Sequence, residues 1–278
     1  MPGYRYKILD PSGNVTALVI GLVHDADARR AIQDAILAKH PDVEQVGFVN
    51  AAFGAPQLFM TGGEFCGNAA RAAAWHYLDG MRGEIQIWVS GAGEEIRAGV
   101  NKAGMAWTSA PVRSDLMGNV RRIVEGIYFV KMDGMCHFVV AQRQSEEYLK
   151  GLDADSEEDK ERLKDAARKL MDRHGLGERP ACGVVFCESV LDMVKIHPCV
   201  FINSAGTAFY EMACGSGSVA VGLASAYLRG QSVALPVLQP SDKVIDMSIT
   251  VEGGRVLGAV ISGEVAGSGE ILEVEVHA

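Results

Sequence analysis

The sequence predicts an α/β (α+β) protein made of two similar halves, on three observations. Short β-rich segments bounded by Gly, Pro, Asp or Asn recur along the chain, two longer segments carry an apolar stripe at helical spacing, and one small-residue motif occurs twice. A chain of 278 residues, 48% hydrophobic, can bury one large core or two smaller ones.

Taken in order, residues 4–9, 15–20, 45–50 and 85–89 read as strands. Residues 25–39 place Ala28, Ala31, Ile32, Ala35 and Ile36 on one stripe, with acidic residues at the start and His40-Pro41 as a stop, which predicts a helix. Residues 156–174 repeat the pattern with Leu163, Ala166, Ala167, Leu170 and Met171, a Ser156 cap with Asp159 three residues on, and Gly175 as terminator. The charged run 146–169 therefore reads as an amphipathic helix with a solvated outer face, not as a docking tail.

The repeat is the most informative feature. Cys66-Gly67-Asn68 opens a run ending in Tyr77-Leu78-Asp79-Gly80, and Cys214-Gly215-Ser216 opens another ending in Tyr227-Leu228-Arg229-Gly230. Two halves each presenting one Cys-Gly at a helix start are expected to bring two thiols to a shared cleft. The expected halves are residues 1–118, with a terminal strand at 270–276 (about 263–278) returning to it, and residues 119–262.

Charge and cysteine usage exclude several classes. The formal charge of -9, without any cluster of Lys and Arg, opposes a nucleic-acid partner. The first ten residues lack a cationic stretch followed by an apolar one, and no apolar run reaches the roughly 18 residues of a membrane span, so a cytoplasmic location is the default expectation. Six cysteines without a C-x-x-C pair read as free thiols. Cys182, Cys187 and His197 match no common zinc spacing, and no metal is expected. Cys136, Cys182, Cys187 and Cys199 lie in apolar, strand-like surroundings and read as core. His197, before Pro198, reads as a loop histidine; it and Asn203 are weak candidates for a site wall.

Cys66 and Cys214 read differently. Each stands where a glycine-containing turn meets a small-residue helix, which can lie deep in the interior with its N-terminus facing a cleft. Unpaired amides there carry about half a positive charge, and a thiol in that position is expected to have its pKa lowered from about 8.5 towards neutrality. The backbone of Gly67, Asn68, Gly215 and Ser216 could hold a carboxylate in the same way. Removing the α-proton of an amino acid drives charge onto its carboxylate, so donors already aimed there favour that step. One thiolate then takes the proton from one face while the opposite thiol delivers one to the other. Stereoinversion needs two such groups.

The segments Thr61-Gly62-Gly63-Glu64-Phe65-Cys66-Gly67-Asn68-Ala69-Ala70-Arg71 and Ala213-Cys214-Gly215-Ser216-Gly217-Ser218-Val219-Ala220 resemble the two cysteine motifs of the diaminopimelate epimerase superfamily, and Ser12-Gly13-Asn14 resembles its N-terminal substrate-contacting turn. The resemblance implies two pseudo-symmetric domains, each a mixed sheet or barrel around a central helix, with the active site in the interdomain cleft. It also implies catalysis without metal, pyridoxal phosphate or other cofactor, an amino-acid substrate contacted by Asn14, and a homodimer.

Residues 204–212 lack the Glu-Arg pair that diaminopimelate epimerases carry before the second cysteine. Without that cation a distal carboxylate would be unpaired in a partly desolvated pocket, at a cost of some kcal/mol. The strings around Cys66 and Cys214 look more like the histidine racemases of the superfamily, including those serving opine metallophores. Phe209, Tyr210 and Glu211 suit a substrate ring or cationic nitrogen, or else finish a core strand. Glu64 contacts the substrate amine or caps the helix after Cys66. Histidine racemase is the first expectation and diaminopimelate epimerase the alternative; a proline-racemase-like enzyme or a non-catalytic amino-acid binder comes after.

Overall fold

The computed structural model describes residues 3–50, 55–176, 179, 181–203 and 206–276. In chain order its first elements are β1 (Gly3–Leu9), β2 (Thr16–Ile20), α1 (Ala26–Lys39), β3 (Gln45–Val49), β4 (Gln57–Met60), α2 (Gly67–Tyr77), β5 (Gly83–Val89), β6 (Ile96–Val100) and β7 (Ala106–Ser109). There follow α3 (Leu116–Asn119), β8 (Val120–Val124), β9 (Ile127–Met132), β10 (Met135–Val140), α4 (Gln142–Leu149), α5 (Glu157–Arg173), β11 (Ala181–Val190), β12 (Met193–Ile202) and β13 (Thr207–Tyr210). The last are α6 (Gly215–Arg229), β14 (Val233–Leu238), β15 (Val244–Glu252), β16 (Arg255–Gly263) and β17 (Leu272–Glu275). The architecture is mixed α+β. The chain divides into two compact units, residues 1–109 with 262–278, and residues 110–261.

In the first unit β1 pairs antiparallel with both β17 and β2, β2 runs parallel to β3, β4 parallel to β5, and antiparallel pairs join β3 to β4, β5 to β6 and β6 to β7. Each parallel pair needs a crossover, and α1 and α2 supply them. Helix α1 starts where Asp25 Oδ1 accepts the Ala28 amide at 2.7 Å. Its Ile32 and Ile36 pack with Tyr6, Val19, Phe48 and Val274 on one sheet face. Alternation along the strands turns Leu18, Leu58, Met60, Ile87 and Val89 to the other face, where they meet the alanines of α2. Those small side chains let α2 bury every residue from Gly67 to Ala74.

In the second unit antiparallel pairs join β8 to β9, β9 to β10, β11 to β12, β12 to β13 and β14 to β15, while β10–β11 and β12–β14 are parallel. On one face Val139, Val185 and Val200 pack against Val219, Ala220 and Leu223 of α6. On the other Phe138, Val184 and Phe201 pack against Leu163, Ala167, Leu170 and Met171 of α5, the stripe expected from sequence. Ser156 Oγ caps α5 by accepting the Asp159 amide at 3.3 Å, but Asp159 bonds to the Asp153 amide at 2.9 Å instead of returning to Ser156. Gly175, at φ +71°, turns the chain out of α5 so that the Leu176 amide reaches Met171 O at 2.9 Å.

Cys136, Cys182, Cys187 and Cys199 lie buried in β10, β11 and β12. Burial pushes the Cys136 thiol up to about 11 and that of Cys187 up to about 12. His197 departs from its loop expectation: it sits inside β12, 4% exposed, because Pro198 leaves that strand unbroken. Among the described residues no helix is long and apolar enough to cross a membrane, and no group of three or more His, Cys, Asp or Glu stands ready to hold a metal.

Candidate active site

Cys66 is the N-cap of α2. Its backbone is extended, at φ −126° and ψ 114°, and its Sγ accepts the Ala69 amide at 3.4 Å, the bond a serine hydroxyl makes at an ordinary cap. The approach to it is held by the 64–65 backbone, which runs so close to Gly91 that a Cβ there would lie 2.3 Å from Phe65 N. Cys66 is half-buried.

Glu64 does not cap α2, since Cys66 does. Burial pushes its carboxyl up, and backbone amides of Gly62 and Glu64 itself, with the charge of Arg29, act in the opposite direction. Asn14 is buried, and its side chain spans Glu44 and Gln45: Nδ2 donates to Glu44 Oε2, and Oδ1 accepts from Gln45 Nε2. Asn68 Oδ1 accepts from Arg71 Nη2 at 2.9 Å. The turn before Asn14 has Ser12 at φ +65° and Gly13 at φ +97°.

Cys214 is the N-cap of α6 in the same geometry, φ −123° and ψ 102°, its Sγ accepting the Gly217 amide at 3.2 Å. Its surroundings are more enclosed. Cys214 is 1% exposed, its amide donates to Gln239 Oε1 at 2.9 Å, and its carbonyl accepts from Ser218 Oγ at 2.8 Å. Gln239 Nε2 ties back to Ser218 Oγ at 3.1 Å. The sulfur therefore stands on a buried scaffold in which its own residue's amide and carbonyl are both hydrogen-bonded.

Two ionisable groups bear on that sulfur. Glu211, at the end of β13, hydrogen-bonds Cys214; its residue keeps some surface in solvent, but its carboxyl is enclosed, and burial pushes it up to about 7. His137 on β10 reaches Ser216 Oγ with Nε2 at 2.9 Å, and Ser216 Oγ lies 3.5 Å from Cys214 Sγ. Burial holds His137 down to about 4, so its ring is neutral at pH 7. Its Nδ1 has no hydrogen-bond partner. A bare lone pair costs less there than an orphaned N–H, which assigns the proton to Nε2. His137 then donates to Ser216, Ser216 donates to the sulfur, and the thiol donates to Glu211. Gly183 makes room for the ring, since a Cβ there would lie 2.5 Å from Nδ1.

The lowered thiol expected at each helix start is overturned at Cys214. Its pKa is raised well above the usual value by burial first and by Glu211 second, against smaller lowering by the Ser216 hydroxyl and the Gly217 amide. A helix terminus is worth about 0.3–2 kcal/mol, whereas taking a charge out of water costs several kcal/mol. Desolvation wins, and Cys214 rests as a thiol.

Sequence reasoning named Cys66, Cys214, Asn14, Glu64, Gly67, Asn68, Glu211, Gly215 and Ser216. The first unit holds Cys66, Gly67 and Asn68 in one helical turn, with Glu64 just before it; the second holds Glu211, Cys214, Gly215 and Ser216 in one cluster. It missed Arg71, His137 and Gln239. The signals were a lone cation inside an alanine run and an imidazole at an inward position of an otherwise apolar strand; Gln239, in a loop, left none. Tyr210 is core: its hydroxyl bonds His197 Nδ1 at 2.8 Å, and His197 Nε2 meets Glu188 at 3.1 Å, while neighbouring Phe209 is 46% exposed. Asn203 accepts from Arg168 at 3.0 Å. Of residues 204–212, Ser204 and Ala205 lie outside the described residues.

A family model described as the histidine racemase CntK N-terminal domain matches residues 5–270. A histidine racemase of Fusobacterium nucleatum subsp. nucleatum is 26% identical over 226 residues, 77% of this chain and 77% of that protein. One of Staphylococcus aureus is 23% identical over 268 residues, 91% of this chain and 87% of that protein. In fold the chain is similar to a hydroxyproline epimerase of Agrobacterium vitis, solved with trans-4-hydroxy-L-proline, at a TM-score of 0.62 and 14% identity over 98% of this chain and 92% of that one. A phenazine biosynthesis protein of the PhzF family from Enterococcus faecalis gives a TM-score of 0.60 at 15% identity, over 99% and 100%.

Proposed function

Because the chain belongs to the histidine racemase CntK N-terminal domain family and is a racemase or epimerase, we propose that it inverts histidine, passing the Cα proton between Cys66 and Cys214. The observation that carries the proposal is the matched cap: two cysteines in the same backbone conformation, each sulfur accepting the amide three residues on, at 3.4 Å for Cys66 and 3.2 Å for Cys214.

In the proposed reaction the Cys66 thiolate takes the α-proton; the Cα–H bond breaks, an S–H bond forms, and the electron pair moves into the substrate carboxylate as an enediolate. Amides at a helix start, Gly67 and Asn68 or Gly215 and Ser216, stabilise that charge. The electron pair then returns to Cα, which takes the Cys214 proton on the opposite face. In the reverse direction the two sulfurs exchange roles. Glu211 and the Ser216–His137 pair hold Cys214 protonated and aimed. Asn14 and Glu64 line the substrate side of the first unit, and the working protein is a cytoplasmic homodimer needing no cofactor. The absence of an arginine in 204–212 favours a substrate without a distal carboxylate.

Deuterium incorporation at Cα in D2O, screened over histidine, diaminopimelate and proline, tests the reading. Histidine is expected to label from both enantiomers and the others not. Cys66→Ala and Cys214→Ala are each expected to reduce racemisation by at least about a thousandfold, while circular dichroism stays native. Near-normal turnover in either variant would end the two-thiol assignment, and labelling of diaminopimelate or proline alone would replace the substrate.

A further inference from the structure

Arg71 is a charged side chain with no exposure at all, one turn into a helix otherwise lined by alanine. Burying a guanidinium costs several kcal/mol unless its donors and its charge are answered. The donors are answered by one short segment and by the helix itself: Nη2 donates to Pro11 O at 3.1 Å and to Asn68 Oδ1 at 2.9 Å, and Nη1 to Ser12 Oγ at 3.3 Å. Nε has no partner. Among the described residues no carboxylate lies within ion-pair distance of Arg71. Burial lowers Arg71 to about 10, and the negative groups working against that are Cys66 first and Asp10 second. The fork is thus spent on geometry, and the buried charge, on the same helix as Cys66, is answered electrostatically by that sulfur and by Asp10.

The segment it grips is strained. Ser12 is a non-glycine residue at φ +65°, a conformation that costs on the order of 1 kcal/mol unless its surroundings enforce it. Asp10 Oδ1 accepts the Gly13 amide, Ser12 Oγ donates to Glu264 O at 3.1 Å, and Arg71 closes the remaining side. Asn14 follows directly.

Resting on the reading of Cys66 as a reacting sulfur, we infer that Arg71 is a positioning residue with two tasks: its fork locks the Pro11-Ser12-Gly13 turn onto the first turn of α2, and its buried charge sustains the Cys66 thiolate. The two tasks separate by substitution. Methionine removes both, and lysine keeps the charge but not the fork. Asp10→Asn keeps an oxygen for the Gly13 amide and removes the charge that competes with Cys66.

The test is the pH profile of iodoacetamide alkylation in the full chain, mapped to Cys66 by peptide mass spectrometry, beside kcat and KM for histidine. Cys66 is the one cysteine of six that is not buried, so it dominates the reaction. Losing an opposite charge moves a titration by about one unit or more, so Arg71→Met is expected to slow alkylation at pH 7 about tenfold and raise its midpoint. Arg71→Lys is expected to alkylate within about threefold of the wild type but to raise KM severalfold, and Asp10→Asn to alkylate about twofold faster. A folded Arg71→Met protein with an unchanged profile would overturn the inference. If neither Arg71 variant folds, an Asp10→Asn protein that alkylates no faster would overturn it equally. Alkylation needs no turnover, so should Cys66→Ala retain Cα exchange, the catalytic reading fails while the effect of Arg71 on the sulfur is still measured.

Discussion

Cys66 and Cys214 occupy the same position at the starts of two helices, with backbone angles within a few degrees in φ and about a dozen in ψ, yet they rest in opposite electrostatic settings. Cys66, half-buried, shares its helix with the buried cation of Arg71, and the two act on each other electrostatically. Beside Cys214, 1% exposed, stand an enclosed carboxyl and a neutral imidazole acting through a serine. A helix terminus thus orients a thiol but does not set its protonation state. Burial and the nearest charge do, because each outweighs the roughly half charge of the helix end. For a two-base inversion the difference is useful, since one sulfur must begin without its proton and the other with it.

The largest test of that contrast is direct labelling. At pH 7 Cys66 is expected to alkylate more than about a thousandfold faster than Cys214, read peptide by peptide by mass spectrometry, because Cys214 lacks both exposure and charge. Equal rates would erase the distinction.

On the Cys214 side, acid acts through His137. His137 titrates near 4 in the folded chain against an ordinary 6.5, so the folded state holds its advantage above pH 6.5 and loses up to about 3 kcal/mol as pH falls to 4. His137→Gln, which retains a donor for Ser216, is expected to flatten that part of the stability curve in urea titrations between pH 7 and 4. A slope identical to the wild type would mean that the imidazole is not held neutral.

The smallest effect concerns Glu211. Its carboxyl titrates near 7, above the ordinary 4.5, so it favours the folded state at low pH and that contribution is lost as pH rises through 7. Glu211→Gln is expected to raise stability at pH 8 and to speed Cys214 alkylation about tenfold, since the charge opposing the thiolate is gone. Slower alkylation would show that Glu211 acts on the sulfur by some other route.

Much of this was legible before any coordinates. The stripes of α1 and α5 and their Asp25, Ser156 and Gly175 boundaries followed from helical periodicity and cap chemistry, which depend on neighbours a few residues away. So did the four core cysteines, set in apolar strands. The racemase or epimerase assignment followed from a motif that recurs. His197 was misplaced because a proline after a histidine looks like a loop, whereas β12 accommodates it.

The sequence by itself determined that Cys66 and Cys214 begin helices, because residue type and spacing are local properties. Only the tertiary structure decided that Arg71 is fully buried where its charge and the Cys66 sulfur act on each other, and that His137 reaches Cys214 from a strand 77 residues away through Ser216. The state of a proton depends on what has been desolvated and which charge lies nearest, and those are settled by packing across the chain.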